Sequence, residues 1–388
     1  MLTIKSAVLA LATVLGRQSW LAPKRRTRCV AVQLSGVQIS PNLFIYEFVT
    51  GGGFFTWGDE PPGGSLLAEG LAMVQALCTD AIAAACHVTV MQDARLAHID
   101  WPAGVAVCRV ESAGNHDRQF AALAKSDAAT ILVAPECDAT LFDLCRRATE
   151  MGAPLLSPDP TFVSIASDKW RCHQLWRDAG VPTPETWCGR APIGPDELNG
   201  RGWVLKPRDG VGSLQIRRCD ELNEWEQAAT SLADLMEGRA ILQRFVPGCP
   251  ASCAAICQGE RSPLLLTPCW QHLSDQLEYQ GGSSIATRED ANRAHRLAAA
   301  ALRTLPPTRG YVGVDLVLGQ ATDGSEDFVI EVNPRVTTSY VGLRQLYAGN
   351  LVAAMLDPQA SELSCRRIKL QFDPCGRVWE DERLEAKD

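Results

Sequence analysis

No basic domain stands out in this chain: 37 Lys and Arg face 45 Asp and Glu, a net charge of −8, which argues against a nucleic-acid binder. No pair among the 15 cysteines has zinc-ribbon spacing. Cys249, Cys253 and Cys257 recur every four residues, but their surroundings read as a turn followed by a strand. Small apolar fillers in a reducing cytosol are expected there, not disulfides or a metal. No acidic residue occurs before Glu47, and the apolar run Ala7–Leu15 is too short to span a bilayer. The heavier charge, Lys24-Arg25-Arg26-Thr27-Arg28, lies behind that run, the reverse of a secretory signal. Residues 1–42 are therefore expected to be a disordered leader or the product of a start placed too far upstream. A chain beginning near Pro41 should keep the melting temperature and activity of the full one. Two nucleotide signatures are also missing. Gly51-Gly52-Gly53 lacks the full dinucleotide fingerprint, and Asp209-Gly210-Val211-Gly212-Ser213 lacks the ending of a P-loop.

The length of 388 residues allows two or three compact units, and 46% apolar with 21% charged residues is ordinary for a globular protein. Leu43–Val49 reads as a strand running into the three glycines. Helix Ser65–Ala85, strands His87–Met91 and Val105–Val110, helix Asp117–Ser126, strand Ala129–Ala134 and helix Asp138–Gly152 continue an alternating pattern. That pattern predicts a small parallel sheet with helices on both faces. Glu136 follows the strand Ala129–Ala134, at the end where such sheets bind ligands; it is placed to hold an amine substrate or to cap the next helix. Beyond Pro158, Asp168 caps a helix over Lys169–Ala179. Trp203–Pro207 is a strand carrying Lys206, and the glycine-rich tip after it can lay N–H groups on phosphates. Helix Glu221–Met236, strands Ala240–Val246, Ser252–Gln258 and Pro263–Pro268, and helix Ala291–Leu305 follow. Residues after about Pro358 look like a loose polar tail.

Two apolar strands, Val312–Leu318 and Phe328–Val332, flank the polar turn Gln320–Asp327 and read as a hairpin. Each carries one carboxylate in an apolar run, Asp315 and Glu331, where an unpaired charge would be expensive. Asn333 shares a face with Glu331, two residues on. If Asp315 lies on that face, three hard oxygen ligands converge, a set suited to Mg²⁺ held between protein and phosphates.

Val204-Leu205-Lys206-Pro207, Asp209–Ser213 and Glu331-Val332-Asn333-Pro334-Arg335, in this order, resemble the ATP-grasp superfamily over roughly Leu43 to Leu356. The resemblance implies an α/β (α+β) ATP-grasp fold with a small parallel pre-ATP-grasp domain in front. Its parts would be the pre-domain over 43–157, a lid over 158–248, a metal and substrate part over 249–356 and a polar tail over 357–388. By that likeness Asp315, Glu331 and Asn333 bind Mg²⁺, with Mn²⁺ admitted. Lys169 and Lys206 contact nucleotide phosphates, Gly210, Gly212 and Ser213 belong to a flexible cover, and Gln243, Phe245 and Val246 hold adenine. Ala134-Pro135-Glu136, Tyr279-Gln280-Gly281-Gly282 and the run Asn333–Arg344 look closest to the branch with the tyramine–L-glutamate ligases of methanofuran biosynthesis. Cys249 and Pro250 stand where a ribose-binding glutamate is common, Arg244 where an acid is common, and Gly313 where D-alanine–D-alanine ligases have arginine.

The activity implied is ATP-dependent joining of a carboxylate, L-glutamate, to an amine through an acyl phosphate, in methanofuran- or methanopterin-linked cofactor synthesis. Arg335 would steady the transferring group with Lys206, while Arg344, Thr337 and Thr338 would hold the donor's carboxylates, arginine being suited to bidentate binding. No residue identifies itself as the base for the amine; His272 reads as structural. An amino-acid or peptide ligase, or a nucleotide-binding regulator without turnover, are the alternatives. Small-molecule substrates, a cytoplasmic setting, no nucleic acid and no stable membrane span are expected, with a homodimer admitted.

Overall fold

The computed structural model describes residues 40–96, 98–189, 202–210, 216–219, 234, 237–359, 362–366 and 368–380. β1 (Asn42–Glu47) begins where the apolar run begins, and α1 (Gly64–Ala83) follows. β2 (His87–Asp93), β3 (Ala106–Val110), α2 (Ala113–Ala124), β4 (Ala129–Val133) and α3 (Thr140–Glu150) complete the first unit. The four strands are parallel, in the order β3-β2-β1-β4. Alternation along β1 sends Leu43 and Ile45 to one face and Phe44 and Tyr46 to the other. α1 covers the first face with Val74, Leu77 and Cys78; α2 and α3 cover the second with Phe120, Leu141 and Leu144. Sheets buried on both faces are the usual setting of parallel strands. Among the described residues, α1 is the one helix long and apolar enough to cross a membrane, but half of it is buried against the rest of the fold.

α4 (Pro160–Ala166) and α5 (Lys169–Asp178) lead into the second unit. Asp159 and Asp168 cap them, each accepting two backbone N–H bonds. β5 (Thr186–Cys188), β6 (Trp203–Pro207), β7 (Arg217–Cys219) and β8 (Ala240–Arg244) make a small antiparallel sheet in the order β5-β8-β6-β7. Its buried Trp203, Leu205, Ile241 and Leu242 join none of the three apolar clusters that hold the rest of the described chain. The helix expected over Glu221–Met236 lies, except for Asp234, outside the described residues.

The third unit is a larger antiparallel sheet. β9 (Cys249–Gly259), β10 (Arg261–Leu265), β11 (Cys269–Leu273) and β12 (Tyr279–Ser284) precede α6 (Arg288–Arg303). β13 (Thr308–Leu318), β14 (Phe328–Asn333), α7 (Ser339–Leu346) and α8 (Leu351–Leu356) come next. β15 (Leu370–Phe372) and β16 (Val378–Glu380) end it. The order is β14-β13-β9-β11-β12-β15-β16, with β10 on β9. α6 packs Leu297, Ala298 and Ala301 on one face, while α1, α7 and α8 share a core with Ile256 and Tyr311 on the other.

The expectation of a loose tail over 357–388 is corrected here. β15 pairs with β12, and Leu370 and Phe372 are buried. The Phe372 ring fills space left by glycines: a Cβ on Gly342 would come within 2.2 Å of it, and one on Gly282 within 2.8 Å. Phe372→Ala is expected to cost about 3–5 kcal/mol of stability through the cavity it leaves, read as a drop in the thermal or urea midpoint.

Candidate active site

β13 and β14 pair so that Asp315 lies opposite Glu331 and Gly313 opposite Asn333. The pairing is regular from Gly313 to Asp315, which puts Asp315 and Asn333 on one face, and Asn333 Nδ2 donates to Asp315 Oδ2 at 3.0 Å; the register shifts only beyond Asp315. Gln271 on β11 donates to the other carboxylate oxygen at 3.0 Å. Lys169, at the start of α5, sits with Nζ 3.2 Å from Glu331 Oε2 and donates to the Gly210 carbonyl at 3.2 Å. Lys206 on β6 is 4% exposed and faces the same carboxylates.

The electrostatics follow from burial. Asp315 is pushed up to about 7, first by desolvation and then by the charge of Glu331. For Glu331, burial also raises the carboxyl, but Lys169 and Lys206 outweigh it and hold it low. Lys206 is lowered to about 8 by burial, with Glu331 opposing and Lys169 adding to the shift. Lys169 is raised: burial opposes its charge, but Glu331 and then Glu136 overcome that. Among the described residues no three of His, Cys, Asp and Glu gather as a metal site. The set here is two carboxylates and an amide, all offering oxygen, with one acid strained by the other's charge. That donor chemistry fits a hard divalent cation, which would relieve the repulsion.

A cavity of about 330 Å³ lies between the small sheet, the large sheet and the carboxyl ends of β1 and β4. Asp315, Glu331, Asn333 and Lys206 line it. So do Gln243, at the end of β8, and Phe245 and Val246 just after it; Gln243 donates to Thr186 at 3.0 Å. Arg335, Thr337 and Thr338, between β14 and α7, line it as well. Lys169 and Gly210 are absent from the lining and reach the site through Glu331 and each other. Gly212 and Ser213 lie outside the described residues.

Two expectations are corrected. Glu136 does not line the cavity, and although it precedes the short 3-10 turn Cys137–Ala139 its side chain makes no capping hydrogen bond; its buried Oε1 lies 3.0 Å from Arg335 Nε, so it pairs with that arginine. Arg344 does not face the cavity either. Its Nε and Nη2 donate to Asp80 on α1 at 2.9 and 2.6 Å, and Tyr340 one turn earlier donates to the same carboxylate at 2.6 Å. Arg344 therefore joins α7 to α1 and holds no substrate carboxylate. His272 bonds Ser283 and lies outside the lining.

Sequence reasoning missed Glu47 and Glu69, both of which line the cavity. Glu47 is 4% exposed and accepts bonds from the Val49 and Thr50 N–H groups and the Thr50 hydroxyl. Glu69 lies on α1 beside Gly70, where a Cβ would come within 2.8 Å of the Glu47 carboxylate. A glycine inside an otherwise Ala/Leu-rich helix was the available signal of that close approach.

A cavity between two antiparallel sheets, with Lys206 on one and Asp315, Glu331 and Asn333 on or at the end of the other, is the arrangement of an ATP-grasp fold. The family models agree: an ATP-grasp domain matches residues 166–339 and a pre ATP-grasp 3 domain matches residues 86–163, so the chain is an ATP-grasp protein with its pre-domain in front. The tyramine–L-glutamate ligase of Methanocaldococcus fervens is 24% identical over 221 residues, 55% of this chain and 60% of that protein. The D-alanine–D-alanine ligase of Delftia acidovorans is 25% identical over 198 residues, 47% of this chain and 59% of that protein. The chain thus spans less than two thirds of the length of these curated relatives. A solved ATP-grasp superfamily protein from Archaeoglobus fulgidus superposes with a TM-score of 0.64 at 24% identity, covering 86% of this chain and 92% of that one.

Proposed function

We propose that the chain is an ADP-forming ligase that joins a carboxylate to an amine. The observation that carries this reading is the convergence of Asp315, Glu331 and Asn333 with Lys206 and Arg335 on one cavity of an ATP-grasp fold. A carboxylate has no good leaving group, so it must be activated. Transfer of the γ-phosphoryl of ATP to it gives an acyl phosphate, which the amine attacks with release of phosphate. The first step needs positioning and charge stabilisation more than covalent chemistry. Asp315, Glu331 and Asn333 would hold Mg²⁺, which when bound neutralises phosphate charge. Lys206 supplies a buried cation to the phosphates, and Lys169 keeps Glu331 ionised and in place. Arg335, fixed by Glu136, faces the transferring group, and the apolar walls exclude water.

Glutamate as the carboxylate donor is supported by the likeness to tyramine–L-glutamate ligase and by Arg335 with the Thr337 and Thr338 hydroxyls. The alignment with D-alanine–D-alanine ligases supports a second reading, with an amino acid as acceptor. The test is ADP release with ATP, Mg²⁺, glutamate and a panel of amines, followed by mass spectrometry. ADP and an amide should form only when both substrates are present. ADP with a different carboxylate removes glutamate and keeps the ligase; AMP and pyrophosphate would refute the acyl phosphate.

Lys206 gives this site a pH dependence. Its proton leaves near pH 8 in the folded chain and near the ordinary 10.5 in the unfolded one. Between those values the unfolded chain holds more protons, so nucleotide-free protein gains stability as pH rises through the window. ATP affinity should move the other way, weakening about tenfold above pH 8 as a charge-assisted contact is lost. Lys206→Arg, charged throughout, should flatten that profile in titration calorimetry.

A further inference from the structure

The run Tyr279-Gln280-Gly281-Gly282 opens β12, and packing accounts for its glycines. A Cβ on Gly281 would come within 2.2 Å of the Phe372 carbonyl oxygen, and one on Gly282 within 2.7 Å of the Trp270 carbonyl oxygen. Tyr279 needs another account. β12 pairs with β11 as Gln271 with Gly282 and His272 with Gly281, then skips Gln280 and sets Tyr279 opposite Leu273. Under unbroken alternation Tyr279 would share a face with Gly281 and His272. The extra residue turns it to the face of Gln271 and Leu273, and those three line the cavity while His272 and Gln280 do not.

The hydroxyl delivered there is unusual in this chain. Of the five tyrosines, Tyr46 bonds His116, Tyr311 bonds Ser339, Tyr340 donates to Asp80 and Tyr347 bonds Thr267. Tyr279 makes no hydrogen bond among the described residues, although its ring packs against the core that holds α1, α7 and α8. Burial keeps its proton on, well above the ordinary phenol range, and the carboxylates of Asp315 and Glu69 add to that effect. The phenol is therefore a donor at every working pH. A donor open to a cavity is served by solvent until a substrate displaces it, and that substrate must then bring an acceptor. The side-chain amides of Gln271, Asn333 and Gln243, which line the same cavity, already donate within the protein.

We propose that Tyr279 is a catalytic donor: its hydroxyl meets an oxygen of the carboxylate substrate and stabilises the charge that gathers on that oxygen when the amine attacks. The inference rests on the ligase reading and adds a residue to it. As the carbon–nitrogen bond forms, the carbonyl electron pair moves onto oxygen. Collapse re-forms the carbonyl and breaks the bond to phosphate, which leaves with its pair, while the amine's proton passes to water. Lys206, Arg244 and Arg335 line the cavity as cations for phosphate and carboxylate charge present from the outset. The oxyanion's charge appears only on the way to product, and a fixed neutral donor gains most there because it need not reorganise. The amine is no partner for this donor, since its lone pair has to stay free to attack.

Tyr279→Phe keeps the ring and removes the donor. The full chain is given ATP, Mg²⁺, either L-glutamate or D-alanine, and hydroxylamine, which traps an acyl phosphate as a hydroxamate whatever the natural amine. In the variant kcat should fall about 10²-fold, with the thermal midpoint, the ADP affinity and the shape of the pH profile unchanged. Retention of more than about half of kcat would overturn the proposal. So would weaker ADP binding, which would assign the hydroxyl to the nucleotide, or loss of the acid limb of the pH profile, which would make Tyr279 a base. A second measurement needs no turnover: calorimetric binding of the same carboxylates to chain saturated with ADP and Mg²⁺ should weaken about tenfold in the variant. Weakened binding, with no ADP release by the natural chain, keeps Tyr279 as a carboxylate contact and removes the ligase reading. Equal ADP release by the two proteins keeps the ligase and removes Tyr279 from its chemistry. A natural chain that neither binds a carboxylate nor releases ADP removes both.

Discussion

Glu331→Gln is expected to lower ATP turnover by about 10³-fold or more while the protein stays folded. The substitution keeps the shape of the side chain on β14 and removes its charge. Glu331 faces Asp315 across the hairpin and lies 3.2 Å from Lys169, so three groups register the change. The divalent cation would lose one of its two carboxylates. Lys169 and Lys206 would lose the charge that favours their protonated forms. Asp315, relieved of repulsion, would fall back toward the ordinary carboxylate range. The last effect stabilises and the second destabilises, so a melting temperature within a few degrees of the natural protein is expected. ADP release at saturating Mg²⁺ together with thermal unfolding checks both halves. Retention of more than about a tenth of the activity would remove Glu331 from the site, since a lost electrostatic contact at the reacting centre costs far more.

Asp80→Ala should cost about 3–5 kcal/mol of stability. The Asp80 carboxylate is 10% exposed and accepts from Tyr340 and twice from Arg344. Its backbone carbonyl also accepts from the Asn350 side chain, which caps α8. Removing the carboxylate strands a guanidinium that is itself only 18% exposed. An uncompensated charge of that kind, not the lost attraction, dominates the cost. Arg344→Met should destabilise less, and Asp80→Ala combined with Arg344→Met should cost clearly less than the sum of the two, which a double-mutant cycle in urea would measure. A strictly additive pair would mean that the two charges do not interact. Arg344→Met should also leave ATP affinity unchanged, in keeping with its place outside the cavity.

The hairpin was legible because its signals are local. Acids inside β-branched runs, and the two-residue step from Glu331 to Asn333, can be read without knowing what lies opposite. Arg344 was not legible in the same way. Its partner, Asp80, lies far back along the chain in the first unit, and a basic residue four places after a tyrosine on a short helix looks alike whether it binds a ligand or a neighbouring helix. Glu136 was misread for the same reason, since its partner Arg335 lies in the third unit. Glu69 passed as an ordinary helix acid because α1 is judged by its apolar stripe, and only the packing of Gly70 on Glu47 shows that this turn faces inward. The last strands were lost to composition. Leu370-Gln371-Phe372 alternates properly and Asp373–Gly376 makes a turn, but the segment lies among charged residues and each strand has only three residues.

The isolation of the β5–β8 sheet from the three apolar clusters has an energetic consequence. Its buried Trp203, Leu205, Ile241 and Leu242 belong to none of the three apolar clusters of the described residues, so the sheet is expected to open more readily than the strands those clusters hold. Backbone amides of Leu205 and Leu242 should exchange with solvent through an opening that leaves β9 and β13 protected. A nucleotide lying against Lys206 and Gln243 adds to the sheet's stability from outside, by about 2.7 kcal/mol at a hundredfold excess over its Kd. In a cell rich in ATP, then, the substrate is a standing part of what keeps this sheet folded. Starvation for it would be felt first as protease sensitivity at β6 and β8, before any catalytic cycle slows.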